Sequence, residues 1–159
     1  MSDAPIRIWL ALSHHAAFRC GGWAFVRAAD GAVTGVAGGE RNLTGERIEL
    51  AGLAAALETL PAGAEAVLHT LSVRILRSAA AIAGTATGEQ APSEDLDLWA
   101  RIVTAAKGRS LRLVCAEAGA GTPLAFAAAW AEFARDKAKA AGAFASPIPK
   151  TNLAKLRGL

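Results

Sequence analysis

The sequence predicts a mixed α/β domain: a five-stranded mixed sheet, its three N-terminal strands antiparallel, flanked by helices. Two observations carry this. Residues 6–38 hold three apolar stretches of strand length, and Asp30-Gly31 joins two of them as a hairpin turn in which glycine takes positive φ freely. Beyond residue 44 helical periods alternate with single apolar strands, the order that builds parallel pairings covered by helices. A length of 159 residues suits one such domain with a short appendage.

Each element has its own signal. Residues 6–13, I-R-I-W-L-A-L-S, are apolar with β-branched and aromatic members, and form the first strand. Gly21 and Gly22 precede the second, residues 23–27, and the third lies around residues 33–38. Thr44 suits an N-cap, and Glu46 falls in the first turn, where the helix dipole favours an acid. From there Ile48, Leu50, Leu53, Ala56, Leu57 and Leu60 keep a helical period until Pro61. Residues 66–71 read as a buried strand and residues 72–83 as a helix with Val73, Leu76, Ala80 and Ile82 inward. Residues 84–92, rich in Gly, Thr and Pro, are a loop. Ser93 is placed to cap the next helix, whose packed stripe is Leu98, Trp99, Ile102 and Val103. After a strand at residues 111–116, Gly119 and Gly121 turn the chain and Thr122 caps the last helix. Pro123 opens that helix, and Gly142 ends it after about Ala141. Residues 143–159 contain Pro147 and Pro149 and a basic segment. They read as an arm, flexible or docking, on a domain of residues 1–142.

Composition narrows the function. The apolar fraction is 53% and only 19% of residues are charged, which argues against disorder of the whole chain. Cys20 and Cys115 lack the spacing of a metal site and read as a structural pair or two unrelated core residues. Asp3 and Arg7 interrupt any apolar leader and no run of 18 uncharged apolar residues occurs, so a cytoplasmic protein is expected, neither secreted nor membrane-spanning. The charge is uneven. Residues 135–159 carry six basic groups against one acid, a net of +5, whereas residues 1–134 carry 11 against 13, a net of −2. A pI near 9.2 therefore describes the tail more than the body.

Several segments in this order resemble the ribonuclease H family. G-G-W-A-F-V at residues 21–26 is similar to the start of the family's second strand, and R-I-E-L-A-G-L-A-A-A-L-E-T-L at residues 47–60 to its first helix. A-V-L-H-T-L-S at residues 66–72 resembles the fourth strand and the turn after it, and D-L-W at residues 97–99 a helix start seen in many members. A-G-A-G-T-P at residues 118–123 is similar to the loop that bears the family's histidine, and A-E-F-A-R at residues 131–135 to its last helix. The likeness spans roughly residues 5–140 in consistent order.

The resemblance implies two-metal phosphodiester hydrolysis, in which four converging carboxylates hold two divalent ions. Carried over residue by residue, the first-strand Asp falls on Ala11, the helix Glu on Glu49, the fourth-strand Asp on Leu71 and the last-helix Asp on Ala131. The loop histidine falls near Ala118. No small register shift restores the acids, because no Asp or Glu lies between Asp3 and Asp30 or between Glu65 and Glu89. Whether Glu132 or Asp136 replaces the last acid stays open. A hard ion requires several oxygen donors in near-octahedral array, so no catalytic residue, metal or cofactor is expected. Glu49 is then either a leftover ligand or a helix residue held by neighbours such as Arg47 and Arg74.

The remaining polar groups have plain readings. His14 and His15 are loop residues beside the vacated site, His69 lies on the fourth strand, and Ser13 and Ser72 lack a placed base. Gly119 and Gly121 suit a structural turn better than a phosphate cradle, and Trp9, Trp23, Trp99 and Trp130, which could stack bases, sit in apolar runs that favour core packing for most of them. Residues 84–97, where active family members carry a basic grip on the hybrid, hold Glu89, Glu94, Asp95 and Asp97 and no Lys or Arg. Three functional classes follow, in this order. The first is an inactive module for protein interaction or structure, with an unidentified protein partner at the arm or the emptied cleft. The second is a domain that binds RNA or DNA without cleavage through Lys150, Lys155 and Arg157 of the arm. The third is a ribonuclease H with displaced ligands.

Overall fold

In the computed structural model, which describes residues 4–159, the chain opens with an antiparallel trio: β1 (Ile6–His15), β2 (Cys20–Ala29) and β3 (Ala32–Arg41). Asp3 lies outside the described residues. Asp30 and Gly31 both have positive φ, 51° and 78°, as the hairpin requires. All three strands outrun their apolar signal. In β2 and β3 small residues extend the ladder at Gly22↔Gly39 and Ala29↔Ala32.

Helix α1 (Gly45–Leu57) follows, with Thr44 as its cap: the Thr44 hydroxyl accepts from the Arg47 N–H at 3.2 Å. Next come β4 (Glu65–Thr70), α2 (Val73–Leu76), α3 (Ala79–Ala83), α4 (Leu96–Ala106), β5 (Ser110–Cys115) and α5 (Pro123–Ala141). The last begins as the sequence implies, with Thr122 capping and Pro123 in the first turn.

Two local expectations are overturned. The helix expected over residues 72–83 is split into α2 and α3, because the Ser78 hydroxyl donates to the Arg74 carbonyl and the Ser78 N–H to the Ile75 carbonyl, closing the turn early. Ser93 does not cap α4. Asp95 takes that position with φ of 53° and makes no capping bond, since its carboxylate is bound by Arg47 at 3.0 Å.

Residues 143–159 are docked on the chain's own sheet. Phe144–Pro147 forms β6, a sixth strand antiparallel to β3, and Lys150–Leu153 forms α6. The Ile148 N–H donates to the Gly35 carbonyl at 2.8 Å, and Ile148 and Leu153 are buried in a cluster with Trp9 and Val26. Proline is tolerated in β6 because this is an edge strand with one neighbour. The sheet order is β5-β4-β1-β2-β3-β6, with β4 parallel to both β1 and β5.

The sheet separates two cores. On one side α1 and α4 pack Leu53, Leu57 and Ile102 against Ile8, Leu10, Phe25 and Leu68. On the other, α5 lies across β1, β2 and β3 with Ala127, Ala131 and Ala134 inward, and the tail covers the rest of β1 and β3. Trp9 and Trp23 are buried, whereas Trp99 and Trp130 are partly buried at the core margins. Cys20 is buried on β2 and Cys115 exposed on β5, both free thiols.

Candidate functional site

The parallel register of β1 and β4 places Leu10 opposite Thr70, so the next residues, Ala11 and Leu71, come side by side where β4 ends. Glu49 on α1 and the N-terminal turns of α5 close the other sides. The result is a depression of about 260 Å³ lined by Leu10, Ala11, Leu12, Leu71, Leu124 and Ala128, with Glu49, Thr70 and Ser72 as its polar members. Three of the four sequence-matched positions, Ala11, Glu49 and Leu71, therefore meet at one place.

The fourth, Ala131, does not. It is fully buried under β2, its carbonyl directed at Gly22, and α5 instead presents Leu124 and Ala128 to the depression. Counting one helical face from the Thr122 cap gives these positions, whereas the A-E-F-A-R match places the site about one turn too far along. Glu132 is exposed, Asp136 is paired with Arg135 at 3.0 Å, and neither lines the depression.

Glu49 is fully engaged. The Ser72 hydroxyl donates to Glu49 Oε1 at 2.7 Å and also caps α2 by accepting from the Ile75 N–H. Arg74 Nε donates to Glu49 Oε2 at 2.7 Å, and its Nη1 reaches Glu46 Oε1 at 3.1 Å. Arg47, the other expected neighbour, turns away and grips Asp95 and Asp97. That bidentate contact pulls the Asp97 carboxyl down to about 2 and raises the Arg47 guanidinium above its ordinary value.

The donor set does not fit two divalent ions. Ala11, Leu71, Leu124 and Ala128 offer no side-chain oxygen, and a guanidinium already neutralises the one carboxylate. Among the described residues no group of three or more His, Cys, Asp or Glu is placed to hold a metal. His14 and His15, expected in a loop, end β1: His14 Nε2 lies 3.4 Å from the Leu43 carbonyl, and His15 stacks on Phe18. His69 is stacked on Trp9, on the face of the sheet that carries α5. Ser13 accepts from Arg135 Nη1 at 3.0 Å, and Thr122 closes the turn at Gly119 and Gly121 by donating to the Gly119 carbonyl.

The surroundings are apolar and acidic. Leu71 and Val73, on either side of Ser72, are 49% and 57% exposed. Glu89 and Glu94 line the adjoining hollow with Arg74 and Arg77. Lys150, Lys155 and Arg157 are exposed on the docked tail, away from the depression. No helix of the described residues is long and apolar enough to cross a membrane.

The sequence matches no family model and no curated protein. Solved structures do match. The N-terminal ribonuclease H domain of Rv2228c from Mycobacterium tuberculosis, determined as a fusion with maltose-binding protein, aligns at a TM-score of 0.64 and 17% identity, over 87% of this chain and 97% of that one. LC9-RNase H1, a type 1 ribonuclease H with the type 2 active-site motif, gives 0.59 and 20%, over 91% and 80%. LC11-RNase H1 in complex with an RNA/DNA hybrid gives 0.64 and 19%, over 84% and 98%. At these identities the likeness is one of fold, and the fold of this chain is ribonuclease H-like.

Proposed function

We propose that this ribonuclease H-like domain docks a protein partner at the position where nucleases of the fold hold their metals, and does not cut nucleic acid. One observation carries the reading: Arg74 and Ser72 occupy both oxygens of Glu49, and the positions facing it are apolar. The guanidinium takes over the neutralising role that a divalent ion has in a two-metal site, without offering a Lewis acid or a bound water. The apolar depression and the exposed Leu71 and Val73 then favour burial against another apolar surface. The test is incubation of a labelled RNA–DNA hybrid with the protein in Mg²⁺ or Mn²⁺. Intact hybrid is the expected result for both the wild type and Glu49→Gln. Cleavage that Glu49→Gln abolishes would show displaced ligands at work and overturn the reading.

A second reading, binding of nucleic acid without cleavage, is favoured by Lys150, Lys155 and Arg157, which the docked tail holds exposed. Removal of residues 143–159 would take a strand and two buried side chains with it, so charge removal at these three positions is the cleaner probe. Affinity for the hybrid that is salt-sensitive in the wild type and lost in the triple Gln variant supports it. Salt-insensitive or absent binding refutes it.

A further inference from the structure

Helix α5 lies across β1, β2 and β3; on the same side of β4 and β5, Arg112 is exposed and His69 and Val114 are partly exposed, while Val67 is buried between them. On that side the register aligns Arg7, Val67 and Arg112 across three strands, and Trp9, His69 and Val114 across the next row. The His69 ring stacks on Trp9 with centroids 4.9 Å apart and planes 12° apart, and the Arg7 guanidinium lies 5.2 Å from the centre of the Trp9 ring. Among the described residues no carboxylate pairs with Arg7 or Arg112, and Glu65, the one acid on this face of β4, pairs with neither.

The geometry points to a binding site for single-stranded nucleic acid here, with one base stacked on His69 and its flanking phosphates held by Arg7 and Arg112. The Cα atoms of the two arginines straddle β4 roughly 10 Å apart, twice the interstrand spacing. Partly exposed imidazole over buried indole makes a flat platform, and an unpaired base can leave its neighbours to reach it where a duplex base cannot. Burial, with Arg7 and Arg112 adding to it, lowers the His69 pKa from its ordinary 6.5, so the ring at neutral pH is an uncharged stacking surface and the arginines supply the charge. The site lies on the opposite side of the sheet from α1 and Glu49, and rests on the second reading above, that this domain holds nucleic acid.

The test is fluorescence anisotropy of a labelled single-stranded 12-mer of thymidylate across a salt series. The wild type binds it more tightly than a duplex of equal length. Arg7→Gln with Arg112→Gln lowers the slope of log affinity against log salt by about 1.4, since each phosphate contact to a single strand contributes about 0.7. Loss of the stacked base in His69→Gln weakens binding about tenfold. That variant could disturb Trp9, so imidazole NMR supplies a second readout: the His69 ring signals, identified by their absence in His69→Gln, shift when the oligonucleotide is added to the wild type. Unmoved signals or an unchanged salt slope overturn the site. If the wild type binds no single strand and no hybrid, both this site and the reading beneath it fail. If binding survives loss of the two arginines but not of Lys150, Lys155 and Arg157, the reading stands and this site alone falls.

Discussion

The two faces of the sheet are packed by opposite means. Beneath α1 and α4 the space is filled with large side chains, among them Phe25, Ile8, Leu53 and Leu68, all fully or almost fully buried. Beneath α5 there is almost no space to fill. A Cβ on Gly22 would lie 2.1 Å from the Ala131 carbonyl oxygen and 2.4 Å from the Arg135 nitrogen, and one on Gly39 would lie 2.7 Å from the Ala134 carbonyl oxygen. On the first face stability rests mainly on large side chains filling the volume; on the second it rests mainly on backbone clearance, with alanine on the helix and glycine on the strands as matched halves. Subtraction therefore tests the first face most directly, and addition of a single methyl group the second.

The largest expected effect breaks the second face. Gly22→Ala pushes a methyl group into helix backbone that cannot rotate away, so a loss above about 4 kcal/mol, enough to abolish cooperative unfolding, is expected in urea titration. A loss of 1 kcal/mol or so would mean that α5 lifts easily and that clearance is not what holds it. Next is the first face, where Leu53→Ala should cost roughly 2–5 kcal/mol by leaving a cavity among side chains that relax only in part. A result below that range would show that the helices close the gap. The smallest effect concerns His69, partly exposed on the α5 side of the sheet. Its folded pKa is depressed below 6.5, so below that pH the unfolded chain binds the extra proton first. Stability falls as the pH drops through about 6.5 and levels off once the folded ring is protonated too. His69→Gln removes this component, and melting curves between pH 7 and 5 would show the wild type losing slightly more.

What the sequence made legible follows the strength of each local signal. Asp30-Gly31, the Thr122-Pro123 start of α5 and the apolar period of α1 all stand where they were read, because a turn or cap is decided by a few neighbouring atoms. Strand β6 was illegible because it is four residues long and ends in proline, and only its pairing with β3 makes it a strand. The split between α2 and α3 turns on a serine hydroxyl that either solvates or back-bonds, a choice made by context. At the candidate site the strand and α1 positions followed from motif order. The α5 position did not, since the A-E-F-A-R match points one turn too far along and only counting from the Thr122 cap gives Leu124 and Ala128. Arg74 was named as a neighbour of Glu49 together with Arg47, which turns away to Asp95 and Asp97, whereas Ser72, 23 residues further along the chain, carried no sign that its hydroxyl meets Glu49.

The docked tail also sets a timetable. Trp9 belongs to β1, and part of its cover, Leu153 with the partly buried Leu156, comes from the tail, which is made after every other element of this sheet. Until residues 144–156 have left the ribosome, β3 keeps an open edge and the indole of Trp9 lacks that cover. Between the making of β3 and that of β6 the growing chain thus displays an unpaired strand and an apolar patch, the condition in which edges recruit wrong partners. For this domain the late arrival of the tail makes synthesis the stage at which that edge and that patch lie open.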